Sequence, residues 1–324
     1  MKNARQKPLL TIVIANYNYG RFIRQAIESV IRQCEEPAWG DDGCIHLPIK
    51  ECDASVELVV CDAASTDNSV EIIRHYAGDL PPNTHVSQIK RTATDSRSNI
   101  YLAWWCSEKD GGQSAAFNKG FTHTEGEWLT WLNADDLLMP GTLLELAKLI
   151  KRHPEAQWIT GNDLHFDNET KRVVFLSWGP HVVPRFFRKT RAQMYPFGPT
   201  TFWQRSLYNE IGPIDESLHY QMDLDYWARL TMAGIRQMRL NHTCWAFRRH
   251  GEGKSTGGSN PTVGRQEKKY WVEKTGYRYK AGVMNLWYDL WMFFRILDGS
   301  IFVRFLRRWI YCGKTIDEGS LSIQ

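Results

Sequence analysis

The sequence lacks a cysteine framework, a long apolar run and an apolar leader. Its seven cysteines are odd in number, irregularly spaced and without a CxxC pair, which excludes a disulfide-stapled scaffold. No uncharged apolar run approaches the roughly 18 residues that a membrane-spanning helix needs. The first residues, 1–7, are polar and basic, unlike a signal peptide. We therefore expect a protein of the reducing cytoplasm.

A strong charge of one sign is also missing. The chain has 40 Lys and Arg against 36 Asp and Glu, and a formal net charge of +4. Nucleic-acid-binding proteins usually carry a dense basic stripe, so we expect no nucleic-acid partner. With 324 residues, 43% of them hydrophobic, the chain can form one large domain with appendages or two domains.

Short apolar segments alternate with segments of helical spacing. The predicted strands cover residues 9–15, 56–61, 128–132, 157–161 and 173–177. The predicted helices cover residues 22–33, 69–76, 114–121, 141–153 and the second half of 213–234. Such alternation implies right-handed crossovers and a largely parallel sheet in an α/β fold.

Residues 34–55 interrupt this alternation. The segment is rich in Pro, Gly, Asp and Glu and has no clear period, which predicts an inserted surface loop. Its Cys34, Cys44, His46 and Cys52 could bind zinc, although their spacing matches no standard pattern. Ordinary loop thiols are the simpler interpretation.

Two adjacent carboxylates, Asp135 and Asp136, follow the apolar run 128–132. Carboxylates at the end of a buried strand are costly unless a cation meets them. Ligands of open α/β sheets bind at this edge, and hard divalent cations often bridge oxygen ligands to substrate phosphates. The segment therefore predicts a site for a metal and a phosphorylated ligand. The alternative is a pair of aspartates that caps the next helix.

The segment 283–310 is apolar and aromatic, interrupted by four arginines. Amphipathic helices of this kind suit a membrane interface, so one expectation is a peripheral contact with the inner face of the membrane. A helical pair packed on the core, or a dimer surface, explains the same pattern equally well.

Five blocks in a fixed order resemble the family 2 glycosyltransferases. They are residues 12–18, 58–67, 107–120, 132–136 and 222–230, and the resemblance covers about residues 9–256. It implies a GT-A nucleotide-sugar-binding fold, with a mostly parallel central sheet flanked by helices. The expected domain spans residues 1–258, with 34–55 as its inserted loop, and residues 259–324 form a C-terminal amphipathic helical extension. The middle block resembles the subgroup that builds bacterial surface polysaccharides.

The resemblance also implies a donor-binding set and a metal site. The donor-binding residues would be Ala15, Tyr17, Asp62, Asp110, Gln113, Asn118, Asn133, Ala134 and Lys254. Asp62 would accept a hydrogen bond from the base of the donor, and Lys254 would meet phosphate. Asp135, its neighbour Asp136 and His250 would hold a divalent metal, Mn²⁺ or Mg²⁺. Asn133 replaces the first carboxylate of the family's Asp-x-Asp pattern, which lowers the charge of the site.

Asp223 resembles the catalytic base of the family, with Asp225 as second choice; capping of a helix is the simpler explanation of Asp223. The expected activity is an inverting, metal-dependent transfer of one sugar. The donor would be a nucleotide-diphosphate sugar, foremost a UDP-sugar, and the acceptor a glycan or lipid-linked glycan. A Gln-x-x-Arg-Trp motif, typical of the processive members, is missing. The alternatives are a non-catalytic nucleotide-sugar-binding partner on the same fold and a sugar-1-phosphate nucleotidyltransferase.

Overall fold

The structure, a computed structural model, describes residues 7–39, 45–88, 100–178, 198–255, 260–276, 306 and 309–324. The helices are α1 (Gly20–Ile31), α2 (Ser69–Ala77), α3 (Gln113–Thr122), α4 (Thr142–Arg152), α5 (Arg205–Ile211), α6 (Met222–Ala233) and α7 (Pro261–Thr275). The strands are β1 (Leu10–Asn16), β2 (Ala38–Trp39), β3 (Ile45–Pro48), β4 (Ser55–Asp62), β5 (Trp104–Ser107), β6 (Trp128–Asn133), β7 (Leu137–Leu138), β8 (Trp158–Asp167), β9 (Val173–Trp178), β10 (Thr201–Gln204), β11 (Gln237–Arg249), β12 (Ile316–Asp317) and β13 (Ser322–Ile323).

Four parallel strands, in the order β5-β4-β1-β6, form the N-terminal half of the sheet. Their register aligns the carboxyl ends, because Asn16 lies beside Asp62, Ala15 beside Asn133, and Asp62 beside Ser107. Polar residues that are far apart in sequence therefore meet at one edge. This is the edge at which α/β sheets bind ligands.

The rest of the sheet is more mixed than the predicted largely parallel arrangement. Strand β10 is antiparallel to both β6 and β8, whereas β11 runs parallel to β8. Strand β9 is antiparallel to β8, because only a short turn joins them and parallel neighbours need a long crossover. The α/β class is confirmed. The alternation of predicted strands and helices gave no information on the direction of strands that follow one another without an intervening helix.

Successive residues of β1 face opposite cores, as the two-residue period of a strand requires. Ile12 and Ile14 pack on the side of α1, α2 and α4, while Val13 packs on the side of α3 and α6. Both faces are therefore buried, which explains why β1 is apolar along most of its length. Helix α1 covers its face through Phe22, Ile23, Ala26, Ile27 and Val30, which recur at helical spacing.

The segment 34–55, expected as a surface loop, instead adds two short strands to the sheet. Strand β3 pairs antiparallel with β4, and β2 pairs with β3. Leu47 and Ile49 are buried in the main core, and the Cys34 thiol lies 3.6 Å from the Val30 carbonyl. Cys44, which the zinc hypothesis needs, lies outside the described residues.

The C-terminal region contributes to the domain at two places. Helix α7 buries Trp271 against the core that contains Trp227 of α6. Strands β12 and β13 form a hairpin that buries Ile316 and Leu321 beside Phe166 and Val173. The predicted amphipathic segment 283–310 lies mostly outside the described residues. Among the residues that are described, no helix is long and apolar enough to cross a bilayer.

Candidate active site

A cleft of about 680 Å³ lies at the carboxyl ends of β1, β4 and β6, and we call it the donor cleft. Seven of the nine predicted donor-binding residues line it: Ala15, Tyr17, Asp110, Gln113, Asn133, Ala134 and Lys254. A second cavity of about 530 Å³ adjoins it and shares Gln113, Asn133, His219, Phe247, Lys254 and Ser255 with it. The shared residues place the two spaces side by side, and we call them together the groove.

Asp62 lies beneath the wall of the donor cleft, because its side chain is buried at the end of β4. Its carboxylate accepts four hydrogen bonds, from Asn16 Nδ2 at 2.7 Å, Ser107 Oγ at 2.6 Å, the Ser65 N–H at 3.0 Å and the Ser65 hydroxyl. A hydrogen bond from a nucleotide base would compete with these four. In the described structure Asp62 joins three segments of the wall, and the neighbouring Ala63 and Ala64 form its surface.

Asp110 lies just before α3, where its carboxylate accepts a hydrogen bond from the Gly112 N–H at 2.8 Å. Burial, together with the nearby charges of Asp62 and Glu108, raises the pKa of Asp110 above its ordinary value. Asp110 therefore holds its proton more tightly than an exposed aspartate does, on the wall of the donor cleft.

Three polar side chains form a hydrogen-bonded chain across the groove. Lys254 Nζ donates to Gln113 Oε1 at 3.0 Å, and Gln113 Nε2 donates to Asn133 Oδ1 at 2.8 Å. Burial lowers the pKa of Lys254 below its ordinary value, although the negative charges of Glu267 and Asp223 act in the opposite direction. The ammonium of Lys254 thus lies at the junction of the two spaces, where a phosphate group would find a donor.

Asn118 does not belong to the groove, contrary to the prediction. Its amide donates to the Ile214 carbonyl at 2.8 Å and to Glu216 Oε1 at 2.9 Å. Its carbonyl accepts hydrogen bonds from the Tyr208 hydroxyl and the Ile214 N–H, both at 3.0 Å. All of its hydrogen-bonding groups are thus used to fasten the segment before α6 to α3.

Asp135 and His250 form the candidate metal site. Asp135 Oδ2 lies 3.0 Å from His250 Nε2, at the point where β6 and β11 end. The imidazole packs against Phe22 and Tyr19, with ring centroids at 4.8 and 5.8 Å. Within the described residues no group of three or more His, Cys, Asp or Glu side chains could hold a metal ion. A carboxylate and an imidazole fit a divalent ion that takes its other ligands from a diphosphate and water.

Asp136 points into the core, so the structure does not support it as a metal ligand. It is fully buried, its Oδ1 accepts the Arg248 N–H at 2.9 Å, and its Oδ2 accepts Asn133 Nδ2 at 2.7 Å. Burial and the charge of Asp135 raise the pKa of Asp136 well above the ordinary range. Its role is to join β11 to the loop after β6.

Asp223 lies in the first turn of α6 and lines the second cavity. Its Oδ1 accepts the Leu224 N–H at 2.8 Å. Burial raises the pKa of Asp223 to about 6, although the charge of Lys254 lowers it. A carboxylate with this pKa accepts a proton more readily than an ordinary aspartate and is still largely ionised at neutral pH.

Asp225 faces away from the groove, since residues two positions apart lie on opposite sides of a helix. It is fully buried and forms ion pairs with Arg229 Nε at 2.9 Å and Lys274 Nζ at 3.0 Å. Asp225 is therefore a structural residue, and the second choice of catalytic base does not fit the geometry.

Several aromatic residues of the second cavity were missed by the sequence analysis. They are Trp131, Tyr220, Trp245 and Phe247. Trp245 and Phe247 alternate along β11, with ring centroids 5.4 Å apart. The two-residue spacing of Trp245 and Phe247 was the available signal, but β11 itself was not predicted.

The fold and the groove define a protein of GT-A architecture. The model of the glycosyl transferase family 2 matches residues 11–95 and 105–211, and the chain belongs to this family. The expected family is therefore confirmed. The chain is similar to an uncharacterized glycosyltransferase of Nostoc sp., with 25% identity over 212 residues, 64% of this chain and 54% of the relative. It is also 23% identical over 245 residues to the Bacillus subtilis protein EpsE, which is named a glycosyltransferase, covering 74% and 73% of the two chains.

Among solved structures, the chain resembles TarS 1–349 of S. aureus in complex with UDP-GlcNAc. The TM-score is 0.53 at 17% identity, over 78% of this chain and 61% of TarS 1–349. At this identity the likeness shows the fold alone. The chain spans about half of the length of the Nostoc relative, 54%, and 60% of a Rickettsia typhi relative.

Proposed function

We propose that the protein is an inverting, metal-dependent glycosyltransferase. It would move one sugar from a nucleotide-diphosphate sugar to a hydroxyl of a glycan or lipid-linked glycan. One observation supports this proposal: the groove has Asp135, which lies 3.0 Å from His250, at one end and Asp223 at the other. Lys254, Gln113 and Asn133 connect the two ends by hydrogen bonds.

The donor fits the cleft at the end of β1 and β4. The side chains of Ala15, Ala63 and Ala64 are small and leave space for a base beside the exposed Tyr17. The diphosphate would reach the ammonium of Lys254 and the Asp135–His250 pair. We propose a UDP-sugar as the donor, in line with the UDP-GlcNAc that TarS binds.

The reaction needs a base on the acceptor side and positive charge on the donor side. Asp223 would take the proton of the acceptor hydroxyl as its oxygen attacks the anomeric carbon opposite the diphosphate. Lys254 would donate hydrogen bonds to the diphosphate as negative charge develops there. A divalent ion, Mn²⁺ or Mg²⁺, held by Asp135 and His250, would offset the same charge.

The proposal is tested by UDP release from a panel of nucleotide sugars and acceptors, with and without Mn²⁺. We expect Asp223→Asn to lower kcat about 10²- to 10⁴-fold, the usual contribution of a general base. Asp225→Asn tests the second choice of base: it should lower the stability, because Asp225 pairs with Arg229 and Lys274, and leave kcat of the folded protein unchanged. Full activity of Asp223→Asn would remove Asp223 from the role of base.

The non-catalytic alternative rests on Asn133, which stands where many relatives have a carboxylate. It predicts a metal-dependent thermal shift with UDP and no release of UDP from any donor. A nucleotidyltransferase would need a Gly-rich loop after β1. The turn there is instead fastened by Asn18, whose Oδ1 accepts the Thr66 N–H at 2.8 Å, which disfavours this alternative.

We further propose that the protein acts in the synthesis of surface polysaccharide, in the cytoplasm or at the inner face of the membrane. The described part of the tail supports a peripheral contact, because Leu306 and Trp309 are 56% and 83% exposed. Large exposed apolar side chains that lie close together often mark a contact surface.

A further inference from the structure

Two carboxylates outside the residues matched by the family model reach back to the two ends of the groove. Glu267 lies on α7 and Glu318 lies in the β12–β13 hairpin. We propose that both are positioning residues: Glu267 holds the backbone that carries Asp223, and Glu318 holds a buried arginine that fixes the Asp135–His250 pair. The inference rests on the proposed function and extends the site to the C-terminal region.

Glu267 binds three consecutive N–H groups in front of α6. Its Oε1 accepts the His219 N–H at 2.8 Å, and its Oε2 accepts the Tyr220 and Gln221 N–H groups at 2.7 and 3.2 Å. Glu267 as a whole is 7% exposed. Gln221 precedes the helix but makes no side-chain cap, so Glu267 supplies from α7 the negative charge that a helix N-terminus favours.

The segment that Glu267 holds forms a wall of the groove. His219 and Tyr220 line the second cavity, and Lys254 Nζ lies 5.6 Å from the centroid of the Tyr220 ring. Asp223 follows within three residues. Loosening of this segment would displace the base relative to the acceptor, and a misplacement of about 1 Å can lower the rate about 100-fold.

Glu318 forms an ion pair with Arg248, whose side chain is 1% exposed. The Arg248 guanidinium donates through Nε to the Asp135 carbonyl at 2.7 Å and through Nη2 to Gln25 Oε1 at 2.7 Å. It also lies over the rings of Phe22 and Phe166, 4.7 and 4.9 Å from their centroids. A buried guanidinium that loses its carboxylate is strongly destabilised, so Glu318 keeps Arg248 in place.

Arg248 contacts Asp135 directly and is linked to His250 through the backbone. It binds the backbone of Asp135 and stands two residues before His250 in sequence. His250 also packs on Phe22, the ring that Arg248 covers. The carboxylate of Glu318 therefore determines how the two ligands face each other. Partners of this kind typically change metal affinity 10- to 100-fold when they are removed.

The test uses the full chain with Glu267→Gln and Glu318→Gln, and Glu273→Gln on the exposed side of α7 as the control. The dissociation constant of Mn²⁺ is measured by calorimetry in the presence of UDP, and kcat and the acceptor KM by UDP release. We expect Glu318→Gln to weaken Mn²⁺ binding about 10-fold or more and to leave the acceptor KM unchanged. We expect Glu267→Gln to lower kcat about 10- to 100-fold with unchanged Mn²⁺ binding.

Hydrogen exchange separates this inference from the proposed function, since it needs no turnover. Glu267→Gln should deprotect residues 219–225, and Glu318→Gln should deprotect residues 133–136 and 248–250. Equal effects of both variants on all of these readouts, or no effect of either, would overturn the proposal. If wild type releases no UDP but the two exchange patterns differ as expected, the proposed function fails and the positioning roles stand. If a Gln variant does not fold, the corresponding Glu→Asp variant replaces it, because aspartate keeps the negative charge on a shorter side chain.

Discussion

The raised pKa of Asp223 suits a general base, but it lowers the stability of the folded protein at neutral pH. This pKa is about 6 in the folded protein, whereas an unfolded aspartate titrates near about 3.9. Between these two values the folded protein keeps a proton that the unfolded chain has lost. The free energy of unfolding therefore falls as the pH rises from about 4 to about 6, and it stays lower above that.

We expect Asp223→Asn to stabilise the protein at pH 8 by up to roughly 2 kcal/mol and to have little effect at about pH 3, where Asp223 is mostly protonated in both states. Denaturant unfolding at the two pH values measures the difference. Asp225→Asn should instead destabilise the protein at pH 8, because it leaves Arg229 and Lys274 without their buried partner. An equal gain from Asp223→Asn at both pH values would contradict the assignment of the raised pKa.

In the proposed mechanism, the same pKa sets the pH dependence of the reaction. We expect kcat/KM to rise about tenfold per pH unit below about 6 and to level off above it, as Asp223 loses its proton. Because the charge of Lys254 lowers the pKa of Asp223, Lys254→Met should move the midpoint to higher pH as well as reduce the rate. A midpoint that stays in place would show that another group controls the profile.

At the scale of elements, α3 packs very closely on β1 at Gly120. A Cβ at this position would lie 2.5 and 2.7 Å from the two methyl groups of Val13, whose side chain is fully buried in the central strand. This close approach sets the position of α3, and with it that of Gln113 at its first turn.

Gly120→Ala should therefore destabilise the protein by about 1–3 kcal/mol, although alanine is otherwise the better residue in a helix interior. Gly111→Ala is the matched control, because the nearest atom to its Cβ would be that of Ala115 at an ordinary 3.5 Å. Thermal or urea unfolding of both variants gives the comparison. Equal stability of the two would mean that α3 can shift away from β1.

Elements whose apolar residues fill the cores could be predicted from the sequence. The apolar run of β1, β4 and β6 and the helical spacing of α1 and α4 are dictated by the cores they fill. Strand β10 was missed because it has only four residues, and β11 was missed because polar residues such as Asn241 and His242 interrupt it. A motif gives the positions of residues in the sequence but not the directions of their side chains. Asp223 faces the groove, whereas Asp225, Asp136 and Asn118 turn inward to bind other parts of the chain.

At the scale of the whole molecule, the C-terminal region has two separable parts. The hairpin β12–β13 places Glu318 against Arg248 and belongs to the folded domain. The exposed side chains of Leu306 and Trp309 have no such role in the described structure and remain available to a membrane interface. Removing the whole tail would therefore disturb the proposed metal site and any membrane contact together, so the two parts need separate variants.

We expect the double variant Leu306→Ser/Trp309→Ser to bind vesicles of phosphatidylglycerol and phosphatidylcholine roughly 10- to 100-fold more weakly, because two large apolar side chains no longer leave water. Deletion of residues 311–324 should instead weaken the binding of Mn²⁺ with UDP and leave sedimentation with vesicles intact. Met232→Ser, which changes a 40% exposed methionine of α6, controls for a general loss of apolar surface. Equal sedimentation of the double variant and wild type would exclude these two residues as the membrane contact, and the tail would then be explained by packing on the domain or on a second copy.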